Sequence, residues 1–175
     1  MTDATFKAYV DVGTLIVLVV TLLAVLWQGR LIRRTLEADT FVRIQERAEA
    51  IKLSETLDQI SSWKYVDYKV YEKAVDVGQQ IRVRALVDFF NDLSHLARDK
   101  YIDDYYPIRL YSPSLLTCQE RLLPWWVEGL RSARSNKYLY NNFMALCGYA
   151  RFWEAKGYKK IGYSTYLKSE EIKEL

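Results

Sequence analysis

Residues that interrupt helices are scarce in this chain. It has 7 glycines and 3 prolines in 175 residues, and all three prolines lie between Pro107 and Pro124. The glycines are scattered singly, so neither a G-x-G-x-x-G fingerprint nor a Walker phosphate loop is present. No segment shows the alternation of apolar and polar residues that is typical of a strand. These absences predict an all-α protein and exclude the familiar nucleotide-binding motifs.

Cysteine and histidine are also few. Cys118 and Cys147 are the only cysteines, and neither has a partner at CxxC spacing. Because free cysteine is among the most frequently buried residue types, we predict that both pack in the core. His95 is the only histidine, and no G-x-S-x-G pattern is present, so a serine triad is not indicated.

One row of side chains around His95 is a candidate site. Asp88, Asp92 and Asp99 lie seven, three and four residues from it, and this spacing predicts one shared helix face. A carboxylate–imidazole row can bind a divalent ion or act as an acid–base pair. A charged row opposite an apolar stripe is also typical of a solvated helix face, which we favour. We therefore predict no catalytic residue, metal or cofactor, with this row as the alternative.

Charge is missing from residues 12–29, which include the run VGTLIVLVVTLLAVLW. Extended back to Tyr9, about twenty helical residues cover ~30 Å, enough to cross a bilayer core. The flanks lack the basic n-region and small-residue cleavage site of a signal peptide. We predict that residues 1–29 form a short outer segment and a transmembrane helix, with an apolar surface that includes Val12, Leu15, Val19, Leu22, Leu26 and Trp27.

Basic residues are unequally distributed about this helix. Arg30, Arg33 and Arg34 follow it closely, whereas only Lys7 precedes it. The positive-inside rule then places the C-terminal part in the cytoplasm, and the three arginines at the membrane surface. The expected location is an inner (plasma) membrane, which the chain crosses in a single pass with its N-terminus outside.

Residues 30–62 contain strong helix formers and neither glycine nor proline, so we expect one unbroken helix that continues the anchor. Residues 63–175 are expected to pack on it as a domain of four to five helices.

Apolar spacing predicts helices over 79–98 and 137–156, and Ser112-Pro113 predicts the start of a helix that bends at Pro124. Residues 164–175 are expected to be a charged tail with one or two helical turns. The stripe of the first of these helices is Ile81, Leu86, Phe89, Phe90, Leu93, Leu96 and Ala97. The predicted inner face of the second is Leu139, Phe143, Leu146, Ala150 and Trp153.

Aromatic residues are abundant, with 14 tyrosines, five tryptophans and six phenylalanines. An aromatic core is the favoured interpretation, and a binding surface is the alternative. That surface would comprise Tyr105, Tyr106, Trp125, Trp126, Tyr138 and Tyr158. Basic residues among the C-terminal tyrosines suit anionic lipid or protein better than nucleic acid, since the net charge is only +3.

The stretches VDFFNDLSHLARDKYIDDYY, LPWWVEGLRSAR and YLYNNFMAL resemble a bacterial family of unknown function. Its members are small proteins with an N-terminal transmembrane helix and a helical cytoplasmic domain. The chain departs from the family pattern at Asn91, where an acidic residue is expected, and has Asp92 one place later. The resemblance implies an anchor and a fold and assigns no catalytic residue.

These features favour a non-enzymatic, membrane-anchored interaction or scaffold protein that binds a protein partner or a second copy of itself. A membrane-associated phage-defence or stress effector is the first alternative. An enzyme that uses the Asp88/Asp92/His95/Asp99 row is the second.

Overall fold

The computed structural model describes residues 3–156 and 161–171, and every regular element in them is helical. The all-α prediction is therefore confirmed. The chain divides into two compact units, Met1–Thr40 and Phe41–Leu175, which we describe separately. The elements are α1 (Asp3–Ala50), α2 (Leu53–Ser62), α3 (Tyr68–Ala74), α4 (Val77–Arg98), α5 (Tyr106–Arg121), a π-helical turn (Leu123–Val127), α6 (Glu128–Arg134), α7 (Asn141–Ala155) and α8 (Tyr163–Glu171).

The first unit is the N-terminal part of α1, and from Leu15 to Leu36 its large apolar side chains are not covered by protein. Leu15, Leu22 and Trp27 are 61%, 60% and 66% exposed, and the large apolar side chains between them are exposed to a similar extent. By length and composition, the helical segment Gly13–Ala50 could cross a membrane, and it is the one such segment among the described residues.

The second unit is built around α4 and α7, which pack along each other. Helix α5 packs on α7, α2 lies across α4 and α5, and α8 contacts both α4 and α7. The predicted stripe of α4 faces this core, except that Ile81 is 62% exposed and Val83 is buried instead. Ile81 lies about 140° around the helix from Leu86, so the two side chains cannot share one face. Cys118 and Cys147 are both buried, as predicted, and burial raises the pKa of each thiol.

The expected unbroken helix over residues 30–62 is interrupted. Helix α1 ends at Ala50, and Lys52 adopts a left-handed conformation with φ 50° before α2 begins. No glycine or proline marks this turn. Thr56 and Ile60, which are 1% and 0% exposed, lie on the face of α2 that packs against α4 and α5. Their burial offsets the cost of one left-handed lysine, about 1–2 kcal/mol.

The prediction that a helix starts at Ser112-Pro113 is wrong. Helix α5 begins at Tyr106, with Pro107 in its first turn, and it continues through Pro113. Pro113 lies on the exposed face of α5. The backbone hydrogen bond that proline cannot donate is therefore lost on the solvent side of the helix, and the packing of the buried side is unchanged. The buried stripe runs past it without interruption, through Ile108, Tyr111, Leu115, Cys118 and Leu122.

Helix α7 begins later than predicted, whereas the helical turns expected in the tail are present as α8. Helix α7 starts at Asn141, because residues 137–140 form a turn in which the Asn136 side chain accepts from the Tyr138 amide. The predicted charged tail contains α8, which docks through tyrosines. The Tyr163 hydroxyl lies 2.6 Å from that of Ser94, and both residues are fully buried. The sequence predicts Gly157 as the C-cap of the last long helix, and this residue lies outside the described residues.

Candidate functional site

A groove in the second unit lies where α3 meets α6. The two helices approach closely at Gly129, where an added Cβ would lie only 2.2 Å from the Tyr68 Cβ. Helix α3 begins at this point because the Asp67 side chain accepts from the amides of Lys69 and Val70, at 2.7 and 3.2 Å. Tyr68 is therefore held at the base of the groove by a capped helix and by the absence of a side chain at residue 129.

The groove has a volume of about 540 Å³. Its lining combines two aromatic rings, Tyr68 and Trp125, with three carboxylates and one ammonium group. The full set is Val66, Asp67, Tyr68, Lys69, Glu72, Pro124, Trp125, Glu128, Gly129, Ser132 and Ala133.

Pro124 determines how Trp125 is presented. Proline has no N–H to donate, and the amides of Trp126 and Val127 both donate to the Leu122 carbonyl, at 2.8 and 3.2 Å. The result is a π-helical turn, a feature found frequently at functional sites. The predicted interruption at Pro124 is thus confirmed, and the turn directs the Trp125 ring toward α3.

The Trp125 ring is supported from behind by other aromatic rings. Its centroid lies 5.3 Å from that of Tyr71 and 6.1 Å from that of Tyr65, and Trp63 packs 5.2 Å from Tyr71. Burial raises the pKa of Tyr71 to about 12, so its hydroxyl stays neutral at physiological pH. Trp63, Tyr65, Tyr71 and Trp125 thus form an uncharged, closely packed aromatic cluster, in which the Trp125 side chain is 8% exposed.

Acidic groups give the groove its charge. Asp67, Glu72 and Glu128 oppose Lys69, which leaves a net charge of −2 on the lining (one minus three). Glu128 accepts from Arg131 at 3.1 Å. The Glu72 backbone carbonyl accepts from Gln80 Nε2 at 2.9 Å, whereas its carboxylate makes no hydrogen bond or ion pair with the described residues. The pKa of Tyr68 is raised, first by burial and second by the Glu72 carboxylate, which places that charge beside the ring.

A second concavity of about 510 Å³ lies on the other side of α6 and shares Glu128 and Ser132 with the groove. Tyr138 lines it, is 67% exposed, and has the Lys137 ammonium 4.9 Å from its ring centroid. Arg131 fixes this region, because it donates to the Leu139 carbonyl and to Asn141 at 2.8 and 2.6 Å. That arginine is therefore structural and unavailable to a ligand.

The structure does not assemble the histidine row. Both ring nitrogens of His95 face other groups, with Arg98 Nη2 2.8 Å from Nδ1 and Asn142 Nδ2 2.9 Å from Nε2. His95 therefore joins α4 to α7.

The three aspartates of the row have separate partners. Asp92 pairs with Arg47 at 2.6 Å, and Asp99 pairs with Arg98 at 3.0 Å. The pKa of Tyr140 is raised, first by burial and second by the Asp88 carboxylate, which places Asp88 beside that hydroxyl. Within residues 3–156 and 161–171, no group of three or more histidine, cysteine or acidic side chains is placed to hold a metal ion.

The predicted aromatic surface needs correction. Trp126 is 2% exposed and belongs to the core, and the half-buried Tyr106 packs against Phe41 and Tyr111. These rings face inward because an aromatic side chain gains more from burial than from exposure. Trp125 and Tyr138 line the two concavities, and Tyr105 is half-buried outside both. Tyr158 lies outside the described residues.

Sequence reasoning missed Tyr68, Glu72, Glu128 and Gly129. The first two lie on α3 and the last two on α6, more than fifty residues later, and no local sequence pattern connects these two helices. The one available signal was Pro124 directly before Trp125, since a proline within a helical segment removes a backbone hydrogen bond and interrupts the helix. Comparison of the chain with family models, curated proteins and solved structures returned no match.

Replacing Gly129 with alanine is expected to separate α3 from α6. The new methyl group would overlap the Tyr68 Cβ, which lies too close to the backbone to move away. We expect a loss of about 1–3 kcal/mol in unfolding free energy, measured by urea denaturation in detergent. Gly148→Ala is the control: its methyl group meets only the hydroxyl end of Tyr166, and a smaller loss is expected. Equal losses would contradict a close helix contact at Gly129.

Proposed function

We propose that this chain is a non-enzymatic, membrane-anchored interaction or scaffold protein of a bacterial inner membrane. Its N-terminal helix would cross the bilayer once with the short N-terminus outside. Its Phe41–Leu175 unit would lie in the cytoplasm and bind a protein partner.

The uncovered apolar surface of α1 is the observation that carries this proposal. From Leu15 to Leu36, valine, leucine and isoleucine side chains are about half to two-thirds exposed on every side of the helix. Soluble monomers rarely expose a contiguous apolar patch beyond a few hundred Å². Lipid is the solvent that suits such a helix, and Arg30, Arg33 and Arg34 suit the cytoplasmic headgroups that follow.

The interaction role draws on the second unit. Its histidine and aspartates serve helix packing and surface pairing, while the half-buried Tyr68 and the exposed Tyr138 line its two concavities. Tryptophan and tyrosine are enriched among the residues that dominate binding energy at protein interfaces.

Affinity capture from detergent-solubilised native membranes tests the proposal. We expect the tagged chain to retain a partner protein in stoichiometric amount through a salt wash. The matched control is a tagged segment of residues 1–40, which keeps the apolar helix and lacks the second unit. A lone band, or the same bands with the control, would contradict the interaction role.

A further inference from the structure

The exposed aliphatic side chains of the second unit are concentrated in one part of its surface. Within residues 51–156 and 161–171, the exposed large aliphatic residues are Leu110 and a set of four, Val66, Val70, Val77 and Ile81. The members of that set, which we call the α3–α4 face, are 57% to 85% exposed. Isolated exposed aliphatic residues are ordinary, but several close together indicate a surface that is covered by something else.

Helices α3 and α4 hold this face together. Val77 and Ile81 are one turn apart on α4, and Gln80 lies on the same side of that helix, three residues after Val77. The Gln80 side chain donates to the backbone carbonyls of Glu72 and Val75 at the end of α3, both at 2.9 Å. The end of α3 is therefore fixed beside the side of α4 that carries the two exposed residues.

Lysines border the α3–α4 face. Lys64, Lys69 and Lys73 are exposed, and none of them makes a hydrogen bond or ion pair through its side chain with the described residues. From residue 64 to residue 84, five basic side chains stand against three acidic ones, a net charge of +2. Two of those three carboxylates are engaged as the N-caps of α3 and α4, and Glu72 is the third. The border therefore attracts an anionic surface.

This composition suits lipid better than protein. At protein interfaces, tryptophan, tyrosine and arginine dominate the binding energy, valine is under-represented among the dominant residues, and lysine is depleted. The α3–α4 face consists of valine and isoleucine, and lysine surrounds it. In the headgroup layer of a bilayer, aliphatic side chains reach the acyl boundary while ammonium groups bind lipid phosphates.

We propose that the α3–α4 face lies on the surface of an anionic phospholipid bilayer. This inference goes beyond the proposed interaction role and takes from it only the membrane anchor. Residues 30–40 are the only part of the chain between the uncharged segment and the second unit. The bilayer that holds the anchor is therefore present at high local concentration, and a few weak contacts are enough to keep the tethered unit on it.

The test uses the full chain in lipid nanodiscs, made either of phosphatidylcholine with phosphatidylglycerol or of phosphatidylcholine alone. Ile81→Cys carries a polarity-sensitive fluorophore, and Leu110→Cys on α5 is the control position. Cys118 and Cys147 stay unlabelled, because both are buried and burial raises the pKa of each thiol. In the discs with phosphatidylglycerol, we expect the fluorophore at position 81 to emit at shorter wavelength and to be quenched by lipids that carry a nitroxide near the headgroup. The fluorophore at position 110 should do neither.

Matched charge variants separate this surface from a general attraction to anionic lipid. The first removes the bordering charges through Lys64→Gln, Lys69→Gln and Lys73→Gln. It should lower the ratio of docked to undocked unit by about fivefold for each lysine. The control removes the same charge from exposed positions on α5 and α7 through Arg109→Gln, Arg121→Gln and Arg151→Gln. It should leave the quenching at position 81 unchanged, and circular dichroism verifies that both variants are folded.

Several results would overturn the inference: no quenching at position 81, equal quenching at positions 81 and 110, equal quenching in the two lipid compositions, or equal losses in the two charge variants. Emission at shorter wavelength without quenching by the nitroxide lipids would also overturn it, because a second copy or another protein would then cover the face. Failure of the proposed function is distinguishable. A captured partner with no quenching rejects the lipid contact alone, and quenching without a captured partner rejects the interaction role alone.

Discussion

Two arginines placed in the apolar part of α1 are expected to remove the chain from the membrane. Leu18 and Leu22 lie one turn apart near the middle of the uncharged segment and are 61% and 60% exposed. Leu18→Arg with Leu22→Arg should cost about 6–8 kcal/mol of insertion free energy, since each replaces an apolar side chain with a charge near the bilayer centre. Alkaline carbonate extraction of membranes should then release the protein or leave it aggregated.

Leu18→Ala with Leu22→Ala is the control for this experiment. It shortens the same two side chains without adding charge, so the protein should stay in the carbonate-resistant fraction. If the arginine variant also resisted extraction, α1 would not be a membrane span. The variant tests only the first unit, because it leaves Phe41–Leu175 unchanged.

Truncation of Phe143 is expected to have the largest effect on the second unit. Its ring is fully buried and stacks on Phe90, with centroids 6.3 Å apart and planes inclined by 19°. Its backbone N–H donates to Asn91 Oδ1 at 3.3 Å, so the residue lies where α7 begins its packing on α4. Phe143→Ala should lower the unfolding free energy by about 3–5 kcal/mol, from lost burial and the cavity left behind.

Urea denaturation of the detergent-solubilised protein, followed by far-ultraviolet circular dichroism, measures this loss. Leu110→Ala on α5 is the control, because Leu110 is 46% exposed and its loss should stay within about 1 kcal/mol. Similar stabilities for Phe143→Ala and the original chain would contradict a core centred on α4 and α7.

Long helices with one apolar stripe were predictable from sequence. The spacing of Leu86, Phe90, Leu93 and Ala97 predicted the buried face of α4, and Phe143, Leu146 and Ala150 did so for α7. In these segments the period of the pattern equals the period of the helix, so the buried face follows directly from the spacing. Six tyrosines among the described residues of the second unit, including Tyr149 and Tyr163, lie in the core, in line with the favoured interpretation of an aromatic core.

Helix ends were predicted less well, because distant contacts decide them. The turn at Lys52 has no local signal and exists because α2 packs against α4 and α5. Pro113 was read as the start of a helix, yet the stripe from Ile108 to Leu122 keeps the helix intact around it. In both places burial of a continuous apolar face outweighs a local preference of about 1–3 kcal/mol.

The sequence by itself determined the apolar N-terminal helix, the all-α class and the inner faces of α4 and α7. All three depend on local composition and period, which need no knowledge of the rest of the chain. Only the tertiary structure decided that His95 joins two helices, that Trp126 belongs to the core, and that Tyr68, Glu72, Trp125 and Glu128 line one groove. These depend on contacts between residues far apart in the chain, and such contacts exist only after the helices pack.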